Sequence, residues 1–250
     1  AEIVAHTIGC PIEEVLVAST GVIGVRLPME KVRAGIAEAG RRISRHAGAD
    51  AARAIMTTDT KPKEVAVEFP VGDATCVVGG MAKGAGMIAP NLATMLAFFT
   101  TDAAVSSALL RRALVEAVGD SLNRITVDGD TSTNDCAVVL ASGARSALAI
   151  DHEGPDFRAF RGALTDAARQ LAHMLVRDGE GVTRTAEVRI EGARTAEDAD
   201  RVARTVAESP LVKTALHGGD PNWGRVLAAV GRAGVALNTG RVSIWIGDVH

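Results

Sequence analysis

The sequence predicts an α/β protein built in layers. Short apolar runs closed by glycine turns read as buried strands, and long segments with apolar residues at helical spacing read as amphipathic helices. No internal repeat or low-complexity linker divides the chain. Taken in order, residues 15–18 are an apolar run ending in Ser19-Thr20-Gly21, a buried strand followed by a tight turn. Pro28 starts a helix on which Val32, Ile36, Ala39 and Ile43 recur at helical spacing, with arginines on the other side. Val65, Val67 and Phe69 alternate with polar neighbours as a half-buried strand, and Gly72-Asp73 turns it toward a second strand at 76–78. The next strand is 94–99. Ser106 or Ser107 then caps a helix with Leu110, Leu114, Val118 and Leu122 on one face. Residues 137–141 form another buried strand, and Pro155 opens a long helix carrying Phe157, Phe160, Leu164, Leu171 and Leu175. Val188 and Ile190 read as a strand, and Thr195 with Asp198 as the cap of a helix running through Val206. Residues 227–230 and 242–246 fit strand or helix equally well. The acidic loop 151–155 is not a domain border.

At 250 residues the chain can bury a substantial core as one large domain or two. Net charge is −3 with acidic and basic residues interleaved, so neither nucleic acid nor an anionic membrane is an expected partner. Cys10, Cys76 and Cys136 are dispersed and odd in number, which suits a reducing cytoplasm; Cys10 and Cys136 read as small buried hydrophobes. No apolar run reaches the roughly 18 residues of a membrane span. The six histidines are scattered, so no metal is expected.

The chemistry concentrates in residues 79–102, GGMAKGAGMIAPNLATMLAFFTTD. There the pair Ala93-Thr94 separates a glycine-rich turn with a single lysine from an apolar run. A threonine hydroxyl is a poor nucleophile until a base takes its proton. Cleavage just before Thr94 would free its own α-amine, with a pKa of about 8, to be that base. The plain alternative is a strand whose threonine suits a pleated surface. Thr20-Gly21 ends a strand in a turn that can aim an N–H and a hydroxyl at a developing oxyanion, or be a turn and nothing more. Lys83 is the lone cation of the glycine run 79–86, which lacks the order of a phosphate-binding loop. Glu180 lies in a loop after the long helix, and Thr57 and Thr58 follow a helix as a hydroxyl pair. The stretch VDGDTSTND, 127–135, lacks the order of a calcium loop and reads as a polar turn bonded to its own backbone. In DPNWGR, 220–225, Trp223 reads as a packing anchor, with Asn222 and Arg225 structural or near the site. Ser19 and Ser132 have no histidine at a fixed separation, so a Ser-His-Asp hydrolase has little support.

The stretch KGAGMIAPNLATMLAFFTTDA, 83–103, resembles the self-cleaving junction of the ornithine acetyltransferase family, the bifunctional glutamate N-acetyltransferases of arginine biosynthesis. Five further segments resemble it in the same order: VLVASTGVIG (15–24), AIMTTDT (54–60), ITVDGDTSTND (125–135), GEGVTR (179–184) and DPNWGRVLAAVG (220–231). The resemblance implies an α/β/β/α-type layered sandwich of the self-processing kind. It implies scission between Ala93 and Thr94 into portions 1–93 and 94–250, paired into a heterotetramer. Thr94 is then the nucleophile, forming an acetyl-threonine, and Thr20 and Gly21 form the oxyanion hole. Lys83, Glu180, Thr94 and one of the threonine pair, with Thr57 favoured, bind substrate. The implied reaction moves acetyl from N-acetyl-L-ornithine to L-glutamate in the cytoplasm, with no required cofactor and no metal. Acetyl-CoA is an optional co-substrate.

Two rivals stay open. A self-processing amidase or aminopeptidase of the same fold would let water resolve the intermediate, although that group resembles this one with a serine at the cut. An inactive truncated copy is the other. Members of the family extend beyond this chain at both ends, where an asparagine and a hydroxyl side chain complete the substrate site, so a fragment lacking both ends is expected.

Overall fold

A computed structural model describes residues 1–89, 95–145 and 148–248. Four strands form its main sheet, β1 (Lys63–Val71), β2 (Ala74–Lys83), β3 (Leu96–Thr101) and β5 (Cys136–Ala141), in the order β1-β2-β3-β5. The first three are antiparallel neighbours. Gly72, at φ 54°, supplies the left-handed residue of the β1–β2 turn. β3 and β5 run parallel, so the chain must cross over between them, and α4 (Ser107–Gly119) is part of that crossover. The two-residue strands β4 (Ala104–Val105) and β6 (Ala149–Ile150) make a separate parallel pair.

Alternation along the strands separates the sheet's two faces. Phe69, Cys76, Val78, Ala97 and Phe99 are buried on one side. They meet α5 (Pro155–Arg177), which presents Phe157, Phe160, Leu164, Leu171 and Leu175, and they share the cluster with Ala113, Ala117 and Val118 of α4. Pro155 suits the first turn of α5 because its missing N–H would be unpaired there anyway. The rings of Phe69 and Phe160 lie 5.7 Å apart and tilted. A smaller core joins α6 (Ala196–Ala207), α7 (Pro210–Gly218) and α8 (Trp223–Gly231) through Val202, Val206, Val212 and Val230. Near the amino terminus, α1 (Glu2–Ile8) packs on α2 (Met29–Arg41) so closely that a Cβ at Gly40 would strike Thr7. The short α3 (Gly48–Ala54) precedes β1.

The layered α/β class holds, and several local expectations do not. Residues 15–18 form no strand among the described residues; Leu16 and Val17 are exposed. Residues 188–190 and 242–246 also run without a strand ladder, although Val188 and Ile190 pack on the smaller core. A strand needs a partner for its N–H and C=O groups, and apolar pattern alone does not supply one. Apart from the four-stranded sheet, the described residues form one further sheet, the β4–β6 pair, and Ile246 makes an isolated β-bridge. Neither Ser106 nor Ser107 caps α4 with its side chain, and Leu122 falls in a 3₁₀ turn beyond that helix. Ile43 lies past the end of α2 and is exposed. Residues 227–230 resolve as helix, within α8. Trp223 is exposed rather than an anchor, while Asn222 accepts from the Arg225 N–H to cap α8. Cys10 and Cys136 are only half-buried. No described helix is long and apolar enough to cross a membrane.

Leu171 is fully buried under the sheet. Leu171→Ala should lower unfolding free energy by about 2–5 kcal/mol in urea titrations. Trp223→Ala should stay within about 0.5 kcal/mol of the parent.

Candidate active site

Three strand ends meet at one end of the sheet. Lys83, Leu96 and Cys136 stand in one row across β2, β3 and β5, so the end of β2 and the starts of β3 and β5 lie together. Lys83 is buried, and its Nζ donates to Thr57 Oγ1 at 3.1 Å. Burial lowers the Lys83 pKa. The Asp59 carboxylate opposes that shift, the neighbouring Lys63 ammonium adds to it, and Asp135 opposes it.

Lys63 is 1% exposed and lies between two carboxylates, its Nζ 2.6 Å from both Asp59 Oδ1 and Asp178 Oδ2. Asp59 also accepts from the Gly84 N–H at 2.7 Å and the Thr57 N–H at 3.1 Å. Asp178, at the end of α5, accepts from the N–H and the hydroxyl of Thr60. Burial pushes both carboxyls up, but the bonds from Lys63 and from these backbone groups outweigh it and hold both below the ordinary range. A single ammonium thereby ties the Thr57 turn and the Lys83-Gly84 corner to the end of α5.

Just past Asp178 the chain turns back on the glycine run. The Glu180 N–H donates to the Ala85 carbonyl at 2.7 Å. Its carboxylate lies so close over Gly86 that a Cβ there would come within 2.7 Å. Glycine at 86 is what lets Glu180 approach.

The loop 127–135 supports the same region, and not only through local bonds. Asp128 accepts from the N–H groups of Met87 and Ile88 at 2.5 and 2.8 Å, holding Met87 at φ 56°, unusual for a side chain of that size. Thr131 donates to the Ala89 carbonyl. The Asn134 amide donates to the Ser19 carbonyl at 2.9 Å, tethering the segment that carries Thr20 and Gly21. The Cys136 N–H donates to the Met95 carbonyl at 3.0 Å. The bond from the Asp130 N–H to Asp128 is the local turn contact the sequence predicts.

The structure therefore brings Thr57, Lys83 and Glu180 around one sheet end. Thr57, rather than Thr58, touches Lys83. Thr20 is half-buried and Gly21 exposed on a loop held by Asn134. Ala93 and Thr94 lie outside the described residues, which resume at Met95 beside Cys136. Sequence reasoning missed Asp59, Lys63 and Asp178. Asp59 and Lys63 do stand four apart, a spacing ordinary for solvated charges, but Asp178 is 115 residues from Lys63 and carried no signal. Among the described residues no group of three or more His, Cys, Asp or Glu side chains could hold a metal ion. A polar cavity of about 520 Å³ borders the supporting loop at Ala89 and Thr131 and is lined further by Arg124, Asp200, Arg204 and Glu208. Its arginines are already paired with Asp200 and Glu208.

Comparison with known proteins places these features in context. The model of the ArgJ family matches residues 1–250. The arginine biosynthesis bifunctional protein ArgJ of Symbiobacterium thermophilum is 53% identical over 250 residues, covering 100% of this chain and 62% of that protein. The protein of the same name from Synechococcus sp. is 49% identical over 248 residues, 99% of this chain and 60% of that protein. The chain thus spans about three fifths of the length of these curated relatives. A crystal structure of arginine biosynthesis bifunctional protein argJ from Bacillus halodurans matches with a TM-score of 0.56 at 46% identity, over 58% of this chain and 68% of that one.

Replacing Lys63 by Met leaves Asp59 and Asp178 buried without their counter-charge, and should cost about 3–5 kcal/mol of unfolding free energy at pH 7. The pH dependence has a definite sign. Both carboxyls titrate near 3.8 when unfolded and lower when folded, so the stability they contribute is complete above about pH 4 and lost as pH falls through the folded values. Urea titrations between pH 7 and 2.5 should show that acid slope in the parent and a shallower one in K63M.

Proposed function

The chain belongs to the ArgJ family, and from that premise we propose that the protein containing it transfers acetyl from N-acetyl-L-ornithine to L-glutamate. The observation that carries the reading is the convergence of Lys83, Thr57 and Glu180 at the sheet end where β3 begins. Lys83 is a buried ammonium that meets no carboxylate at hydrogen-bond distance among the described residues, which suits it to a substrate carboxylate. Glu180 is an exposed carboxylate suited to a substrate ammonium.

In this reading the bond between Ala93 and Thr94 is cut, giving portions 1–93 and 94–250. The freed Thr94 amine takes the hydroxyl proton. The oxygen attacks the acetyl carbonyl, with the oxyanion received by Thr20 and Gly21. Ornithine departs, and glutamate resolves the acetyl-threonine in a ping-pong sequence. Lys63 and Asp178 would then sit on different portions, and their ion pair, with the β2–β3 ladder, would hold the portions together after the cut. Pairing into a heterotetramer, a cytoplasmic location and use of acetyl-CoA as a second acetyl donor belong to the same proposal.

Intact-mass measurement with amino-terminal sequencing of the full-length protein should find a new terminus at Thr94; a chain that stays whole contradicts the reading. Thr94→Val should remain uncut and lose acetyl exchange by at least on the order of 10³-fold. Ornithine release that proceeds undiminished without glutamate would mark a hydrolase instead.

A further inference from the structure

The site also contains the carboxyl of Asp135. Both oxygens of Asp135 are buried and make no hydrogen bond of ordinary geometry among the described residues. Native folds rarely keep such a group without a task for it. The other nearby carboxylates are engaged: Asp59 with Lys63, Thr57 and Gly84, and Asp128 with Met87 and Ile88.

Its position follows from its neighbours. Asn134 is bonded to the Ser19 carbonyl beside Thr20, and Cys136 to the Met95 carbonyl. Asp135 thus lies one residue before the row of Lys83, Leu96 and Cys136, alongside Met95, to which residue 94 is joined. Burial pushes its carboxyl up to about 6, against the Met95 amide and the Lys83 charge, which both pull it down. Lys83, on β2, is the ionised group that bears on it. Asp59 and Lys63 in turn bear on Lys83, and on its own loop Asp128 is turned to Met87 and Ile88 while Asp130 is exposed.

We propose that Asp135 accepts the proton of the incoming amine, an acid–base role that rests on the acyl-transfer reading above. An amino-acid acceptor arrives as an ammonium, whose nitrogen has no lone pair to attack with. Its N–H bond breaks and an O–H bond forms on the Asp135 carboxylate, and the freed pair attacks the acyl carbonyl. As the carbonyl–oxygen bond to residue 94 breaks, a second proton from the attacking nitrogen returns to the threonine oxygen. The proton on Asp135 passes to the amine released from the next donor, which leaves as an ammonium. Protons balance over the cycle and no other reactant is needed. Buried, the carboxyl sits closer to the pKa range of a working base than a solvated aspartate does.

The test uses the full-length cleaved protein with N-acetylornithine and glutamate, as parent, D135N and D135E. In the parent, log kcat/KM for N-acetylornithine should fall below about pH 8, where the α-amine of residue 94 gains a proton. Log kcat/KM for glutamate, which reports the acetylated protein, should break downward below about 6. D135N should lose about 100-fold in kcat/KM for glutamate at pH 7 and show no break near 6, while D135E restores part of the rate and the break. A raised carboxyl pKa means the folded state disfavours the charge present above pH 6, so D135N should unfold at the same or higher temperature at pH 7. A purely structural carboxylate would show the opposite. A parental kcat/KM for glutamate with the break near 6 intact in D135N overturns the proposal. Should D135N fail to fold, infrared titration of parent labelled with ¹³C-aspartate must show a carboxyl titrating near 6 that D135E lacks, and its absence overturns the proposal equally. A parent that moves no acetyl at all takes the acyl-transfer reading down with it.

Discussion

The buried ammonium of Lys63, held 2.6 Å from the carboxylates of both Asp59 and Asp178, is the constraint on which this site depends. Removing three charges from water is expensive, and well-packed apolar residues often serve stability as well or better. What an apolar replacement could not do is place neighbours. Asp59 holds two backbone N–H groups and Asp178 one, as well as the ammonium, so the triad fixes the turn carrying Thr57, the corner after Lys83 and the start of the loop carrying Glu180. Three segments distant in sequence are held by one cation.

Electrostatics at this sheet end follow from the same arrangement. Asp59 favours the charged form of Lys83 and Lys63 opposes it, so the Lys83 ammonium is balanced by charges that are themselves locked in place. Asp135 also favours the charged Lys83, but forms no ion pair with it at hydrogen-bond distance. Its burial outweighs the attraction of Lys83, which leaves a carboxyl near 6 beside the strand that follows residue 94. The triad locks its charges in place, whereas the buried Asp135 carboxyl is left with a raised pKa at the same sheet end.

The supporting loop 127–135 shows how a misleading local pattern arises. Alternating acids, glycine and hydroxyl residues are the usual material of a self-bonded turn. One such bond is present, from the Asp130 N–H to Asp128, yet most of the loop's capacity is spent elsewhere. Asp128 reaches Met87 and Ile88, Thr131 reaches Ala89, and Asn134 reaches Ser19. The short side chains read the same in either case, because their range in sequence is not encoded in their type.

Periodicity by itself determined the elements that carry their own pattern: the β1–β2 hairpin with its glycine turn, the apolar face of α5 and the Thr195 cap of α6. It could have found α7 as well, where Ser209 and Pro210 open the helix and Gly219 closes it in a left-handed residue. Motif resemblance singled out Thr57, Lys83 and Glu180. Tertiary structure alone decided which strands find partners, since the apolar pattern of 15–18 states a need for burial and not what meets it. It alone joined Lys63 to Asp178 across 115 residues and left Asp135 without a hydrogen bond of ordinary geometry among the described residues. Hydrophobic spacing is a property of neighbours along the chain, whereas desolvation and charge pairing are properties of neighbours in space.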